Sequence, residues 1–179
     1  ELSYNYRMSE FAAALGSVGL TRLPSDNAAR RASAMYLSDL LADCEFLDVR
    51  LERENEYGVY YAVALELHAD NDTSALFVAE LQHLGFPVRP TFRPLNRHPH
   101  FNPKVKPARG LPWDNEAYTG NYGRTPYADL QLPTTYTYCQ GRILELYAHP
   151  GTTRDQLVGF SSAAKTVYQH LLEPNEGYE

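Results

Sequence analysis

The chain has 179 residues, of which 44% are hydrophobic, and a formal net charge of −6. A chain of this length and composition buries one substantial core. The negative charge argues against nucleic acid as the main partner, because phosphate binding needs a basic face. No apolar run is long enough to span a membrane, which argues against a membrane protein.

The first predicted helix follows a polar and aromatic stretch that has no helical periodicity. Ser9 is a favourable N-cap, and Glu10 lies where the helix dipole favours a negative charge. We expect this helix to end at Leu23, because Pro24 removes a backbone donor, and a second helix to run over Ser25–Asp43. The apolar residues of the first helix fall on one stripe, formed by Phe11, Leu15 and Val18.

Three polar residues, Asn5, Tyr6 and Arg7, lie on the short loop before this helix. An asparagine amide can donate to a phosphate oxygen, and an arginine binds phosphate or carboxylate in a bidentate manner. The loop could therefore direct both groups at an anion. An ordinary loop-to-helix junction is compatible with the same residues.

The middle of the chain alternates strands and helices. Residues 44 to 56 are predicted to be irregular, and Tyr57–Leu67 is the clearest strand because its apolar residues alternate. Asp72 is the expected N-cap of the next helix, and Gly85 is expected to end it. The following strand, Phe86–Phe92, contains two prolines, which favour a position at the edge of the sheet.

A long loop over residues 93 to 125 follows, and loops of this length are usually functional. The elements expected after it are a short helix over Thr134–Gln140, a strand over Ile143–Tyr147, and a final helix that opens with a Thr153–Gln156 capping box. This order predicts an α/β fold, with a few mostly antiparallel strands and helices packed on one side. We divide the chain into an interface arm with the first helix (1–24) and a small C-terminal α/β domain (25–179).

Single residues give little independent evidence for catalysis. Glu145 lies alone in a predicted strand and supports no acid–base scheme. His98 and His100 lack a nearby carboxylate or cysteine, so no metal site is expected. Cys44 and Cys139 have no paired spacing, which is typical of two reduced thiols in a cytoplasmic protein.

Several stretches resemble one protein family, in the family's own order. "NYRMSEFAAALGSVGLTRL" resembles the "NYRM…AA.G..QL..L" segment of the DegT/DnrJ/StrS family of nucleotide-sugar aminotransferases, which are fold-type-I enzymes dependent on pyridoxal phosphate (PLP). The later stretches "AARRASAMYLSDLL", "YGVYYAVALEL", "LFVAELQHLGFPVRP" and "HPGTTRDQLVGFSSAAKTV" are similar to the helices and strands that follow in the family. The resemblance covers nearly the whole chain and implies the C-terminal half of such an enzyme.

The resemblance implies roles for specific residues. The asparagine that matches Asn5 reaches the PLP phosphate of the partner subunit, and the arginine that matches Arg7, with Tyr6 beside it, lies on the substrate side. Asn96 falls where family members commonly carry a histidine, so a substrate contact there would rest on a side chain that hydrogen-bonds but does not titrate.

The cofactor chemistry requires a reactive lysine. Lys104 and Lys106 lie in the long loop and Lys165 on the final helix, and none resembles the family's Schiff-base lysine, which lies upstream of the "NYRM" segment. The resemblance therefore implies a dimeric aminotransferase acting on a keto-sugar or cyclitol-like ketone with an amino-acid donor. Its PLP would be held mainly by residues outside this chain, and an upstream segment or another chain would supply the lysine. The alternative is a non-catalytic small domain that completes or regulates a partner aminotransferase.

Overall fold

The structure is a computed structural model that describes residues 7–98 and 130–172. Expectations for Asn5, Tyr6, His100, Lys104 and Lys106 lie outside the described residues. The helices are α1 (Glu10–Leu40), α2 (Asn71–His83), α3 (Pro133–Thr137) and α4 (Arg154–Leu172). The strands are β1 (Leu47–Val49), β2 (Val63–Leu67), β3 (Val88–Pro90) and β4 (Ile143–Leu146).

The strands form one antiparallel sheet in the order β1-β2-β4-β3. This confirms the predicted α/β class and places β3 at the edge, where its Pro90 loses no ladder hydrogen bond. The prediction that residues 44 to 56 are irregular is wrong for β1, which pairs Leu47 with Leu67. A three-residue strand is too short for alternation to reveal it.

Helix α1 is one continuous element of 31 residues, so the prediction that Pro24 ends it is wrong. Proline removes one backbone donor, but hydrogen bonds on both sides maintain the helix. The hydroxyl groups of Thr21 and Ser25 donate to carbonyl oxygens of the preceding turn, at 2.7 and 2.8 Å. The start of the helix agrees with the sequence, since Ser9 accepts from the Ala12 N–H at 3.2 Å.

The two halves of α1 have different surroundings. The predicted apolar stripe lies in the N-terminal half and is exposed, at 86% for Phe11, 76% for Leu15 and 59% for Val18. The C-terminal half is packed into the core through Ala34 and Leu37, which are fully buried. The change occurs after Pro24, and the division of the chain there into arm and domain stays a prediction.

Strand β2 begins at Val63, six residues later than predicted. The residues before it leave the extended conformation, because Tyr60 has a φ of 42°. The Tyr60 hydroxyl accepts a hydrogen bond from the Glu52 N–H at 3.0 Å, which holds this turn in place. Within the strand, the predicted alternation is confirmed, since Val63, Leu65 and Leu67 are all fully buried.

Helix α2 is capped by Asp70, so the prediction that Asp72 caps it is wrong. The Asp70 carboxylate accepts from the Thr73 N–H at 2.8 Å and from the Thr73 hydroxyl at 3.0 Å. Gly85 ends the helix as predicted, with a φ of 87° that favours glycine.

The core lies between one face of the sheet and the helices. The predicted capping box of α4 is confirmed, since Thr153 and Gln156 exchange hydrogen bonds of 2.9 and 3.3 Å. From this cap, α4 buries its apolar stripe against α2 and α1. Gly141, with a φ of 114°, leads into β4 and lies so close to Ser74 that an added Cβ would be 2.9 Å from the Ser74 Cβ.

Candidate functional site

The face of the sheet opposite the core carries ion pairs instead of apolar residues. On β2, Glu66 is buried between two guanidinium groups, those of Arg50 and Arg142. The Arg142 Nε lies 2.7 Å from Glu66 Oε1. A buried carboxylate is costly unless it is paired, so the two arginines allow a charge at this position.

A second ion pair connects β3 and β4. Both the Nε and Nη2 of Arg89 donate to Glu145 Oε2, at 3.0 and 2.8 Å, and the Thr91 hydroxyl donates to Glu145 Oε1 at 2.9 Å. Arg89 and Glu145 are direct cross-strand partners. The hydrogen bond to Glu145 raises the pKa of Arg89. Glu145, which stands alone in the sequence, is therefore part of a fixed cluster.

Aromatic rings hold the Arg89 guanidinium in place. Its central carbon lies 4.7 Å from the centre of the Phe92 ring and 4.9 Å from that of Tyr147, within the range of cation–π contacts. The Tyr147 ring also meets that of Tyr61 edge to face at 5.7 Å. Burial raises the pKa of Tyr147, so its hydroxyl remains protonated at neutral pH.

Arg89, Glu145 and Phe92 help to line a concave region of about 390 Å³, which we call the open-face hollow. Two small residues of the β2 segment, Ala62 and Ala64, line it and leave the space. Its aromatic residues are Tyr60, Tyr61 and Phe92, and its charged residues are Arg50, Arg89 and Glu145. The hollow combines a rigid acceptor–donor pair with exposed aromatic surface.

Arg7 is the one residue of the predicted phosphate loop that the structure describes. It lies just before α1 and is exposed, two positions before the Ser9 cap. Asn5 and Tyr6 precede the described residues. The roles of these three residues remain proposals.

Asn96 lies in a 3₁₀ turn, Leu95–Arg97, and is buried. Its Nδ2 donates to the Tyr136 hydroxyl at 2.6 Å, and that hydroxyl donates to the Leu130 carbonyl at 2.6 Å. The hydrogen bond from Asn96 lowers the pKa of Tyr136. The hydrogen bond from Asn96 therefore links the turn after β3 to Tyr136 of α3. Both elements are distant in the chain from Arg7.

Lys165 of α4 is held against the C-terminal end of α1. Its Nζ lies 2.7 Å from Asp43 Oδ1 and donates to the Leu40 carbonyl at 3.2 Å. The hydrogen bond to Asp43 raises the pKa of Lys165, so the amine is protonated at neutral pH. A protonated amine is not a nucleophile, which makes this lysine unsuitable for a Schiff base.

Among residues 7–98 and 130–172, no three His, Cys, Asp or Glu side chains cluster so as to hold a metal ion. None of the helices described for these segments is long and apolar enough to cross a membrane. Cys44 and Cys139 are free thiols, and burial raises the pKa of Cys44.

The open-face hollow is the feature that sequence reasoning missed. Its signal was the presence of charged residues inside predicted strands, namely Glu66, Arg89 and Glu145. Such charges mark a strand face that is not covered by the apolar core. The pairing of Arg89 with Glu145, 56 positions apart, follows only from the sheet order.

Comparison with known proteins decides the family. The model of the DegT/DnrJ/EryC1/StrS aminotransferase family matches residues 1–122. The chain belongs to this family. The first described residues and the sheet up to β3 both fall inside the matched range.

Two curated relatives are similar to part of the chain. One is the L-glutamine:2-deoxy-scyllo-inosose aminotransferase of Streptomyces kanamyceticus, 34% identical over 103 residues that cover 55% of this chain and 24% of the relative. The other is the enzyme of the same description from Streptomyces paromomycinus, 33% identical over 106 residues, with coverage of 57% and 25%. The chain thus matches about a quarter of these relatives' length.

Solved structures show the same fold. Helicobacter pylori PseC, an aminotransferase involved in the biosynthesis of pseudoaminic acid, has a TM-score of 0.73 at 12% identity, covering 95% of this chain and 40% of that one. A putative sugar aminotransferase from Streptococcus pneumoniae, solved in its PLP-form, has a TM-score of 0.70 at 18% identity, with coverage of 93% and 37%. The sheet and helices therefore match a part of a fold-type-I aminotransferase.

Proposed function

We propose that this chain is the C-terminal portion of a PLP-dependent aminotransferase. The enzyme would move an amino group from an amino-acid donor to a keto-sugar or cyclitol-like ketone. The observation that carries the proposal is the family match over residues 1–122, together with relatives that use L-glutamine and a keto-cyclitol by their descriptions. The partial coverage of those relatives agrees with a portion of an enzyme.

The lysine that bonds to the cofactor belongs, in this proposal, to an upstream segment or another chain. Lys165 supports this, because its amine is protonated and bonded to Asp43. Lys104 and Lys106 fall between the described segments, where no family motif places the cofactor lysine. When bound, PLP would supply the electron sink and carry the amino group between donor and acceptor.

The residues at the start of the chain are compatible with the phosphate group of PLP. Asn5 would donate its side-chain amide to a phosphate oxygen of the cofactor in a partner subunit. Arg7, exposed before α1, would bind an anionic or hydroxyl group on the substrate side. Tyr6 would contact substrate between them, and Asn96 would act from the turn after β3.

The proposal requires a dimer, and the exposed stripe of α1 supports one. Phe11, Leu15 and Val18 form exposed apolar surface on the half of α1 that contributes no residue to the core described within residues 7–98 and 130–172. Such surface is typical of a protein–protein contact. The large domain or the partner subunit would cover it.

The direct test is the donor half-reaction of the full-length protein. Loaded with PLP and mixed with L-glutamine, it should convert the PLP absorbance band to that of pyridoxamine phosphate. A keto-cyclitol should then reverse the change. A PLP-loaded protein whose spectrum is unchanged by any amino acid would contradict the proposal.

The second candidate is a non-catalytic domain that completes or regulates a partner aminotransferase. It is favoured by the same exposed stripe of α1, which needs another surface in either case. In that case the spectral change would appear only after a separate lysine-bearing aminotransferase is added.

A further inference from the structure

We propose that the open-face hollow binds the polyhydroxylated six-membered ring of the amino-group acceptor. In this assignment Arg89 and Glu145 are specificity-determining residues, and Tyr61 is the surface on which the ring stacks. The assignment rests on the proposed function for the identity of the acceptor. The site itself is argued from the contacts in the hollow.

The size of the hollow suits a small ring. Its volume of about 390 Å³ lies within the range of roughly 300–1,000 Å³ that is typical of ligand pockets. Ala62 and Ala64 create the space, because any larger side chain on this face of the β2 segment would fill it. The hollow is thus open where the sheet would otherwise carry bulky residues.

The polar groups match a pair of neighbouring hydroxyls. A carboxylate has about four acceptor positions, and Arg89 and Thr91 use three of those on Glu145. One acceptor position remains on Oε1, and Arg89 Nη1 makes no hydrogen bond to a residue of the described ranges. A fixed acceptor beside a fixed donor can bind two adjacent hydroxyls of one ring.

The aromatic surface matches the C–H face of such a ring. Tyr61 is 73% exposed, and its ring meets that of Tyr147 edge to face with 5.7 Å between the ring centres. Aromatic faces carry partial negative charge and attract the slightly positive hydrogens of C–H groups. An exposed ring held in one orientation is preorganised for stacking.

Backbone strain supports a role for this end of the hollow. Tyr60 has a φ of 42°, an unfavourable conformation for a bulky residue that is found mainly at functional sites. A Cβ at Gly58 would lie 2.6 Å from the Tyr60 ring, so this glycine leaves room for the ring in its present position. The turn places Tyr60 and Tyr61 together at the entrance to β2, where both line the hollow.

The charges favour an uncharged ligand. Three guanidinium groups on this face, those of Arg50, Arg89 and Arg142, stand against the carboxylates of Glu66 and Glu145. Asp48, the direct cross-strand partner of Glu66, lies on the same face, so the guanidinium and carboxylate charges balance among the described residues of this face. Two phosphate groups would need more cations than this, whereas a neutral polyol needs none.

The test uses the full-length, PLP-loaded protein and two variants of the hollow. Glu145→Gln keeps the shape but removes the charged acceptor, and a hydrogen bond to a charged group is worth roughly a ten- to hundredfold change in affinity. We expect the KM for a keto-cyclitol and the Kd for scyllo-inositol, measured by calorimetry, to rise by about that factor. Tyr61→Ala should raise both and leave the fold intact, because Tyr61 is exposed.

The matched controls are Glu54→Gln and Tyr57→Ala, which change the same residue types at exposed positions outside the hollow. Neither control variant should change the KM for the keto-cyclitol or the Kd for scyllo-inositol. The donor half-reaction and a thermal melt on the same samples identify any variant that has lost its fold or its cofactor. Loss of kcat with both constants unchanged would point to a structural role and overturn the assignment.

The two proposals fail in different ways. If the parent protein shows no donor half-reaction, the proposed function is wrong. The binding of scyllo-inositol by the parent and the variants then decides whether the hollow binds a polyol ring. If the half-reaction occurs but Glu145→Gln and Tyr61→Ala bind the acceptor and the polyol as the parent does, the hollow is not the ring site. A parent that binds no polyol in either assay also overturns it.

Discussion

Asn5 and Arg7 are separated by one residue, yet their proposed partners differ. Asn5 is assigned to the cofactor phosphate and Arg7 to the substrate side. A structural loop would not distinguish them, because both side chains precede the same helix start at Ser9. Single substitutions can therefore separate a binding role from a packing role.

We predict that Asn5→Ala in the assembled enzyme weakens PLP retention by roughly ten- to a hundredfold, the cost of one hydrogen bond to a charged group. Arg7→Ala should instead lower turnover or raise the KM for substrate while PLP stays bound. The measurement is a PLP titration beside a thermal melt for each variant. Equal losses of melting temperature in both would indicate a structural loop.

A second residue-scale prediction concerns Gly141, which combines a φ of 114° with close approach to Ser74. Gly141→Ala should lower the free energy of unfolding by about 1–3 kcal/mol, because the backbone conformation is strained for any other residue and the Cβ meets a buried side chain. Gly85→Ala is the matched control, since its φ is 87° but the space around it is open. Urea unfolding of both variants gives the comparison, and an equal loss in the two would contradict the role of the contact.

At the scale of elements, the sequence predicted those features that depend on a few neighbouring residues. The Ser9 cap, the Gly85 stop and the capping box of α4 all follow from local hydrogen bonding. Two other features were missed. The continuation of α1 through Pro24 and the late start of β2 after Tyr60 depend on bonds that periodicity does not show.

The candidate site divides in the same way. The family resemblance drew attention to Asn5 and Arg7, because their motif is retained in the sequence, and to Asn96, because it departs from the family pattern. The pair of Arg89 and Glu145 has no local signal, since strand order alone makes them neighbours. Sequence reasoning therefore found the loop before α1 and not the open-face hollow.

Helix α1 carries the element-scale prediction. In the isolated chain, amides of residues 10 to 23 should exchange with solvent faster than those of residues 33 to 40, because only the latter pack into the core. In the full-length protein, the exchange of residues 10 to 23 should slow as the apolar stripe is covered. Hydrogen-exchange mass spectrometry checks both states. Equal protection of residues 10 to 23 in the two samples would argue against a partner surface for this half.

In the whole molecule, a well-packed core is accompanied by two surfaces that lie outside it. One face of the sheet is covered by helices, the other carries ion pairs, and the first half of α1 is exposed. These features agree with a domain that functions against another one. We propose that this chain contributes binding groups to a PLP enzyme whose cofactor lysine lies elsewhere.

Borohydride reduction of the full-length, PLP-loaded protein tests where the cofactor lysine lies. Reduction fixes the cofactor to the lysine that holds it, and peptide mass spectrometry then identifies the residue. We expect an adduct on a lysine outside these 179 residues. We also expect no adduct when the isolated chain is treated in the same way. An adduct on Lys104, Lys106 or Lys165 would contradict the proposal that the cofactor lysine lies outside this chain.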